Sequence, residues 1–176
     1  PARAIPAPSY GPDRNAIPAY DFSRQEITTH LVRDTPVRVS ALRSLGAHAN
    51  VFAIESFIDE LALAAAADPV AYRLRHLSDP RAIETIRRTA QSFGWDGFVR
   101  APGRGRGIGF ARYKNLAAYC AVCMEAEFSA DSGVVTIVRA TVGVDAGAVV
   151  NPDGLRNQIE GGLLQSISWT LKEEVR

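Results

Sequence analysis

Apolar and polar positions follow two different periods along the chain. Between Arg24 and Val39, Ile27, Thr29 and Leu31 alternate with polar neighbours, and a second apolar piece, Val37 to Val39, follows the Asp34-Thr35-Pro36 break; two short strands are predicted. From Val51 to about Ala67 the apolar set Phe52, Ile54 or Glu55, Phe57, Ile58, Leu61 and Ala65 recurs at threes and fours, which predicts a helix with one buried stripe. Asn50 is its expected N-cap and Asp68-Pro69 its stop. Val70 to Leu77 predicts a short second helix with Arg73 and Arg75 exposed. Asp79-Pro80 then places a proline in the first turn of a third helix that runs to Phe93 and ends on Gly94.

Glycine interrupts the periodicity next. Gly94, Gly97, Gly103, Gly105, Gly107 and Gly109 predict a loop until about Ile108. Two β-rich runs, Tyr119 to Phe128 and Val134 to Val144, flank Asp131-Ser132-Gly133, a turn with hairpin chemistry. After a loop through Asp145-Ala146-Gly147 and Asn151-Pro152-Asp153-Gly154, helical spacing resumes from Gln158 to Glu174 through Ile159, Leu163, Ile167 and Leu171. Helices in one block and an antiparallel pair in another predict an α+β fold. The expected organisation is a Pro-rich extended arm over 1–20, a mainly helical part over 21–100, and a hairpin with a C-terminal helix over 101–176.

Composition narrows the function. With 176 residues, 47% hydrophobic and 22% charged, the chain has the make-up of a folded globular protein, which excludes wholesale disorder and coiled coil. Twenty Lys and Arg against nineteen Asp and Glu leave a formal charge of +1, so the basic footprint of a nucleic-acid binder is missing. Nearly all the cations are Arg, the side chain suited to planar, hydrogen-bonded recognition of anions. No apolar run reaches the length of a membrane span. Cys120 and Cys123 fall three apart in a predicted strand and so point to opposite faces, which predicts reduced thiols rather than a disulfide or zinc site.

Several groups are candidates for chemistry. Glu55 and Asp59 stand four apart on one helix face beside Glu60; without a His or further carboxylate at matching spacing, they are expected to pair with arginines rather than hold a metal. His30, His48 and His76 are isolated in sequence, and His48, ahead of the first helix, is the one expected near a site. Gly103-Arg104-Gly105-Arg106-Gly107-Ile108-Gly109 fits either an anion-binding backbone nest or a tight loop leading into a strand. Asn157-Gln158-Ile159-Glu160-Gly161-Gly162 lies where a loop becomes a helix, and fits either a planar polar ligand or a glycine-permitted helix crossing. No nucleophile elbow or Cys-His arrangement can be assembled, and no catalytic or metal-ligating residue is assigned.

Five separated pieces then converge. Ser40-Ala41-Leu42-Arg43-Ser44-Leu45-Gly46, Phe52 through Ala62 with Asp68-Pro69 and Arg73, Gly107-Ile108-Gly109-Phe110 with the strand through Cys120, Val144-Asp145-Ala146-Gly147 to Val150-Asn151-Pro152, and Gln158-Ile159-Glu160-Gly161-Gly162 occur in this order. From about Ile17 to its C-terminus the chain resembles the molybdopterin-binding large subunit of the molybdenum hydroxylases, the xanthine dehydrogenase and aldehyde oxidase family, and most of all its isoquinoline 1-oxidoreductase branch, in the β-subunit.

The resemblance implies a molybdenum-pterin cofactor, either molybdopterin or its cytosine dinucleotide, with Arg43 and Gly46 beside it and Gln158 hydrogen-bonding the pterin. Gly161 and Gly162 would allow close approach, and Leu45 would stand in the substrate pocket where some relatives place an aromatic wall. It implies hydroxylation of an aldehyde or an N-heteroaromatic carbon with oxygen from water, and electron transfer to a [2Fe-2S] small subunit. The family's Gly-Gln-Gly pterin segment and its catalytic Glu, in a Gly-x-Gly-Glu motif, do not occur among the 176 residues. The expectation is therefore a fragment, inactive alone, that works with the remaining segments of a parent large subunit. A non-catalytic scaffold derived from the family and one chain of a split enzyme are the alternatives.

Overall fold

The computed structural model describes residues 11–30, 34, 36 and 43–174. Four α-helices and one three-stranded antiparallel sheet follow in the order α1 (Ala47–Ala64), α2 (Pro69–Arg75), α3 (Pro80–Phe93), β1 (Arg104–Arg112), β2 (Tyr119–Phe128), β3 (Val135–Asp145) and α4 (Pro152–Leu171). The α+β class is as expected. Strand order in the sheet is β1-β2-β3.

Two aspartates start helices and tie them down at the same time. Asp68 caps α2 by accepting from the Val70 and Ala71 amides, while its other oxygen accepts from Trp95 Nε1 at 2.8 Å. Asp79 caps α3 through the Arg81 amide and accepts the Tyr119 hydroxyl at 2.8 Å, which links the helix to the first residue of β2. A side-chain cap satisfies an amide that the helix leaves unpaired.

The core lies between α3 and one face of the sheet. Ala82, Ile86, Ala90 and Phe93 form the buried stripe of α3, and Tyr119, Ala121 and Cys123 of β2 face it. The register places Gly143 of β3 opposite Ala121, and a Cβ there would collide with the Thr89 hydroxyl, so glycine lets α3 seat directly on the strand. Cys120 points to the opposite face and both thiols are free, as the strand alternation requires.

Five expectations need correction. First, α1 begins at Ala47, with Gly46 at the N-cap; Asn50 sits inside the first turn and donates from its amide to the Pro12 and Arg14 carbonyls at 2.6 and 2.9 Å. Its buried residues are Ala47, Glu55, Ile58 and Ala62, whereas Phe52 and Phe57 are exposed, because α1 is apolar on nearly every side and periodicity alone cannot choose its inner face. Second, Arg73 is not exposed but wholly buried. Third, the glycine-rich stretch is already a strand from Arg104: its arginines lie on the α3 side, where Arg104 pairs with Glu125 and Arg106 stacks 4.0 Å from the Trp95 ring centre. Gly105, Gly107 and Gly109 take the other face. Fourth, Ile27 and Thr29 are in no strand; Leu31 and the piece from Val37 to Val39 lie outside the described residues. Fifth, the last helix starts earlier than expected, at Pro152, with Asn151 as its cap.

Residues 11–22 are bound to the body by side chains. The Asn15 amide donates to the Arg112 carbonyl and to Asn115 Oδ1, and Asn15 Oδ1 accepts from the Lys114 amide. Arg14 Nη1 donates to the Tyr113 hydroxyl at 2.8 Å.

Candidate functional site

The site is built on two elements that share no backbone hydrogen bond. One is the turn from Arg43 to Gly46, which leads into α1. Ser44 and Leu45 both hold left-handed backbone angles there, φ 74° and 54°, unusual for non-glycine residues. Such conformations persist where surrounding contacts fix them. Here a Cβ at Gly46 would run into the Pro12 backbone, so the chain passes the turn at the closest distance glycine allows.

The other element is α4. Gln158, Gly161, Gly162, Gln165 and Trp169 recur at helical spacing and form one face. Arg43 lies on that face. Its Nη2 donates to the Gln158 carbonyl at 2.9 Å and to Gln158 Oε1 at 3.1 Å, and its Nη1 donates to Gln165 Oε1 at 3.3 Å. The guanidinium covers the glycine pair: a Cβ at Gly162 would stand 3.3 Å from Nη2 and one at Gly161 4.0 Å from Nη1.

Beneath this contact, between α4, α1 and the outer face of the sheet, opens a cavity of about 780 Å³. Val122, Met124 and Val142 supply its floor, Ile159 and Leu163 of α4 its roof; Arg43, His48, Gln158 and Gln165 are among its polar groups, and Glu55 and Asp59 reach it from α1. Apolar walls with a few convergent polar groups are the usual make-up of a small-molecule pocket. Of the residues singled out in the sequence, Arg43, Gln158, Gly162, His48, Glu55 and Asp59 line it together, His48 at a site as expected; Leu45, Gly46 and Gly161 stand outside its lining. Among the described residues no three His, Cys, Asp or Glu side chains cluster as a protein-held metal would need.

The carboxylate pair has a different task. Glu55 is buried and accepts four ways: from Tyr20 Oη at 2.7 Å, from Arg73 Nε at 3.0 Å and from the Phe110 amide at 2.8 Å through its carboxylate, and from Arg73 Nη2 at 3.2 Å through its carbonyl. Arg73 Nη1 reaches Asp59 at 2.6 Å. Burial raises the Glu55 carboxyl above the ordinary carboxylate range, against the opposing pull of Arg73, Tyr20 and the Phe110 amide. The expected pairing with arginine is thus observed, and it joins the N-terminal segment, α1, α2 and β1 at one point.

Gln165 and Trp169 escaped the sequence reading. Trp169 meets His48 edge-on, with ring centres 4.7 Å apart and planes at 77°. The signal was present for Gln165, which stands two turns after Gln158; His48 and Trp169 lie too far apart in sequence for spacing to pair them.

Residues 40–176 match the family of the molybdopterin cofactor-binding domain. The chain is 44% identical over 178 aligned positions to one of the subunits of nicotinate dehydrogenase from Pseudomonas putida, covering 93% of this chain and 15% of that protein. It is 33% identical over 159 positions to the β-subunit of isoquinoline 1-oxidoreductase from Brevundimonas diminuta, covering 90% of this chain and 20% of the relative. A membrane-bound aldehyde dehydrogenase of Gluconacetobacter polyoxogenes is 28% identical over 75% of this chain and 19% of its own length. The chain therefore spans about a fifth or less of the relatives it matches.

Proposed function

This chain belongs to the molybdopterin cofactor-binding domain family, and we propose that it supplies the Arg43–Gln158 side of the cofactor pocket in the large subunit of a molybdenum hydroxylase. The observation that carries the reading is the convergence of Arg43 with Gln158, 115 positions away, over two adjacent glycines at the edge of an apolar cavity.

The donor set suits the group. A pterin presents ring-edge acceptors and donors, which a glutamine amide can meet in either sense, and its phosphate suits a guanidinium. Gly161 and Gly162 make room for the Arg43 guanidinium at the edge of the cavity, and the apolar walls suit the faces of a flat ring system. When bound, the molybdenum-pterin supplies the oxidative chemistry, inserting oxygen from water at an electron-poor carbon of an aldehyde or N-heterocycle. The residues of this chain hold and orient: Gln158 addresses the ring edge, Arg43 fixes Gln158 and offers its remaining donors to anionic oxygen, and Gly46 lets the Arg43 turn lie tight against Pro12. In this reading the other pocket segments come from the rest of the large subunit, the cofactor is molybdopterin or its cytosine dinucleotide, and electrons leave to a [2Fe-2S] small subunit.

The test is cofactor content. In the large subunit that contains this segment, Gln158→Ala is expected to lower molybdenum and pterin per folded protein by a margin corresponding to about 1–3 kcal/mol of lost hydrogen bonding. Unchanged molybdenum with intact folding would remove the role given to Gln158 and favour a non-catalytic scaffold.

A further inference from the structure

Helix α4 carries Gln158, yet among the described residues little of the body holds it. None of its residues is buried. A helix in that situation takes its position from a few side-chain contacts, and each contact then counts in where its ligand-facing residues lie.

The described contacts between the start of α1 and α4 run along one face. Arg43 engages Gln158 and Gln165 over the first two turns of that face, and one turn beyond, His48 meets Trp169. Two points fix a line. Arg43 alone would leave α4 free to pivot about the guanidinium, whereas the second contact sets the direction in which the Gln158 end points. The rings suit the task, since an edge-on aromatic pair has a preferred geometry and neither side chain has many torsions to lose. His48 follows the left-handed Ser44–Leu45 pair within four residues, so the turn that presents Arg43 also presents the His48 ring.

We propose that His48 and Trp169 are positioning residues: their ring contact aligns α4 so that the Gln158 amide and Gly161–Gly162 face Arg43 in the geometry the cofactor requires. The proposal rests on the functional reading above. Neither ring needs to touch the cofactor, and the contact works through shape rather than charge, so another aromatic ring should replace the imidazole.

The experiment uses three variants, His48→Ala, His48→Phe and Trp169→Ala, read by hydrogen exchange of the 158–171 amides in this chain and by molybdenum content of the large subunit that holds it. His48→Ala and Trp169→Ala are expected to speed exchange along α4 about tenfold while the core amides of α3 and β2 keep their rates, and to reduce molybdenum content. His48→Phe is expected to restore both. Unchanged α4 exchange in His48→Ala, or failure of the phenylalanine to restore it, overturns the alignment role. If α4 exchange responds as expected but Gln158→Ala leaves molybdenum content untouched, the ring contact stands as an aligner of α4 and the cofactor reading fails instead.

Discussion

Arg43 and Gln158 are joined twice, through the carbonyl and through the side-chain amide of the same glutamine, at 2.9 and 3.1 Å. The double contact fixes the glutamine's rotamer as well as its place on the helix. Its weak point is the neighbouring glycine. A Cβ at Gly162 would lie 3.3 Å from Nη2, so Gly162→Val, whose branches extend further, should push the guanidinium off Gln158. The expected loss is about 1 kcal/mol, since the bonds are exposed; the Arg43 and Gln158 side-chain NMR signals report it, and both should move while the core signals stay.

The buried pair between Glu55 and Arg73 should respond asymmetrically. Arg73→Met leaves a buried carboxylate without its cation and is expected to destabilise the fold by about 3–5 kcal/mol. Glu55→Leu combined with Arg73→Met removes both charges and should recover a good part of that loss. Denaturant titration of the two variants and the wild type checks the order.

Strong acid should weaken the sheet-to-helix link that Asp145 makes with Arg81. Arg81 grips Asp145 with two hydrogen bonds of 2.7 Å, and these, with the Gly147 amide, hold the Asp145 carboxyl down at about 2 from an ordinary 3.8. The folded value is the lower one, so the stabilisation is fully present above the unfolded value and is lost as pH falls towards the folded one. The stability difference between wild type and Asp145→Asn should be constant above about pH 5 and shrink below about pH 4; denaturation midpoints across that range measure it.

Both thiols should be sluggish. Burial pushes Cys120 and Cys123 up to about 11, so little thiolate exists near neutrality. Alkylation at pH 8 is expected to run roughly a hundred-fold slower than for a free cysteine, and to become rapid on unfolding. Mass spectrometry of iodoacetamide-treated protein with and without denaturant reads both states.

Packing at Gly143 gives a stability test away from the site. Gly143→Ala drives a methyl into the Thr89 hydroxyl and should cost about 1–3 kcal/mol. Thr89→Ala in the same chain should restore part of it, because the offending atom is then gone. Thermal melts of the single and double variants suffice.

Strong local signals made part of this fold legible. Helix α3 has a proline in its first turn, an aspartate cap and a left-handed glycine end, and the β2–β3 hairpin turns on Gly133 at φ 69°. Where the deciding contact is distant, the residues are silent. Arg73 reads as a surface cation until its partners, 14 and 18 positions back on α1, surround it. The Gly-Arg alternation of β1 has weak strand propensity, and only the facing acids and Trp95 explain why arginines line one side. The strained Ser44–Leu45 turn leaves no mark in composition. The meeting of Arg43 with Gln158 was legible through family motifs and His48 through its place near the turn, whereas Gln165 and the His48–Trp169 ring contact belong to the packing of this chain.

The buried hydroxyl of Tyr20, which donates to Glu55 at 2.7 Å, bears on where an autonomous unit can be cut. The family match opens at residue 40, twenty positions after this tyrosine. A protein trimmed to the matched stretch would leave a carboxylate oxygen in the interior without its proton donor and would strip the Asn15 clasp from the β1–β2 connection. The domain match starts at one residue and the mechanically intact unit at another, and expression boundaries should follow the second.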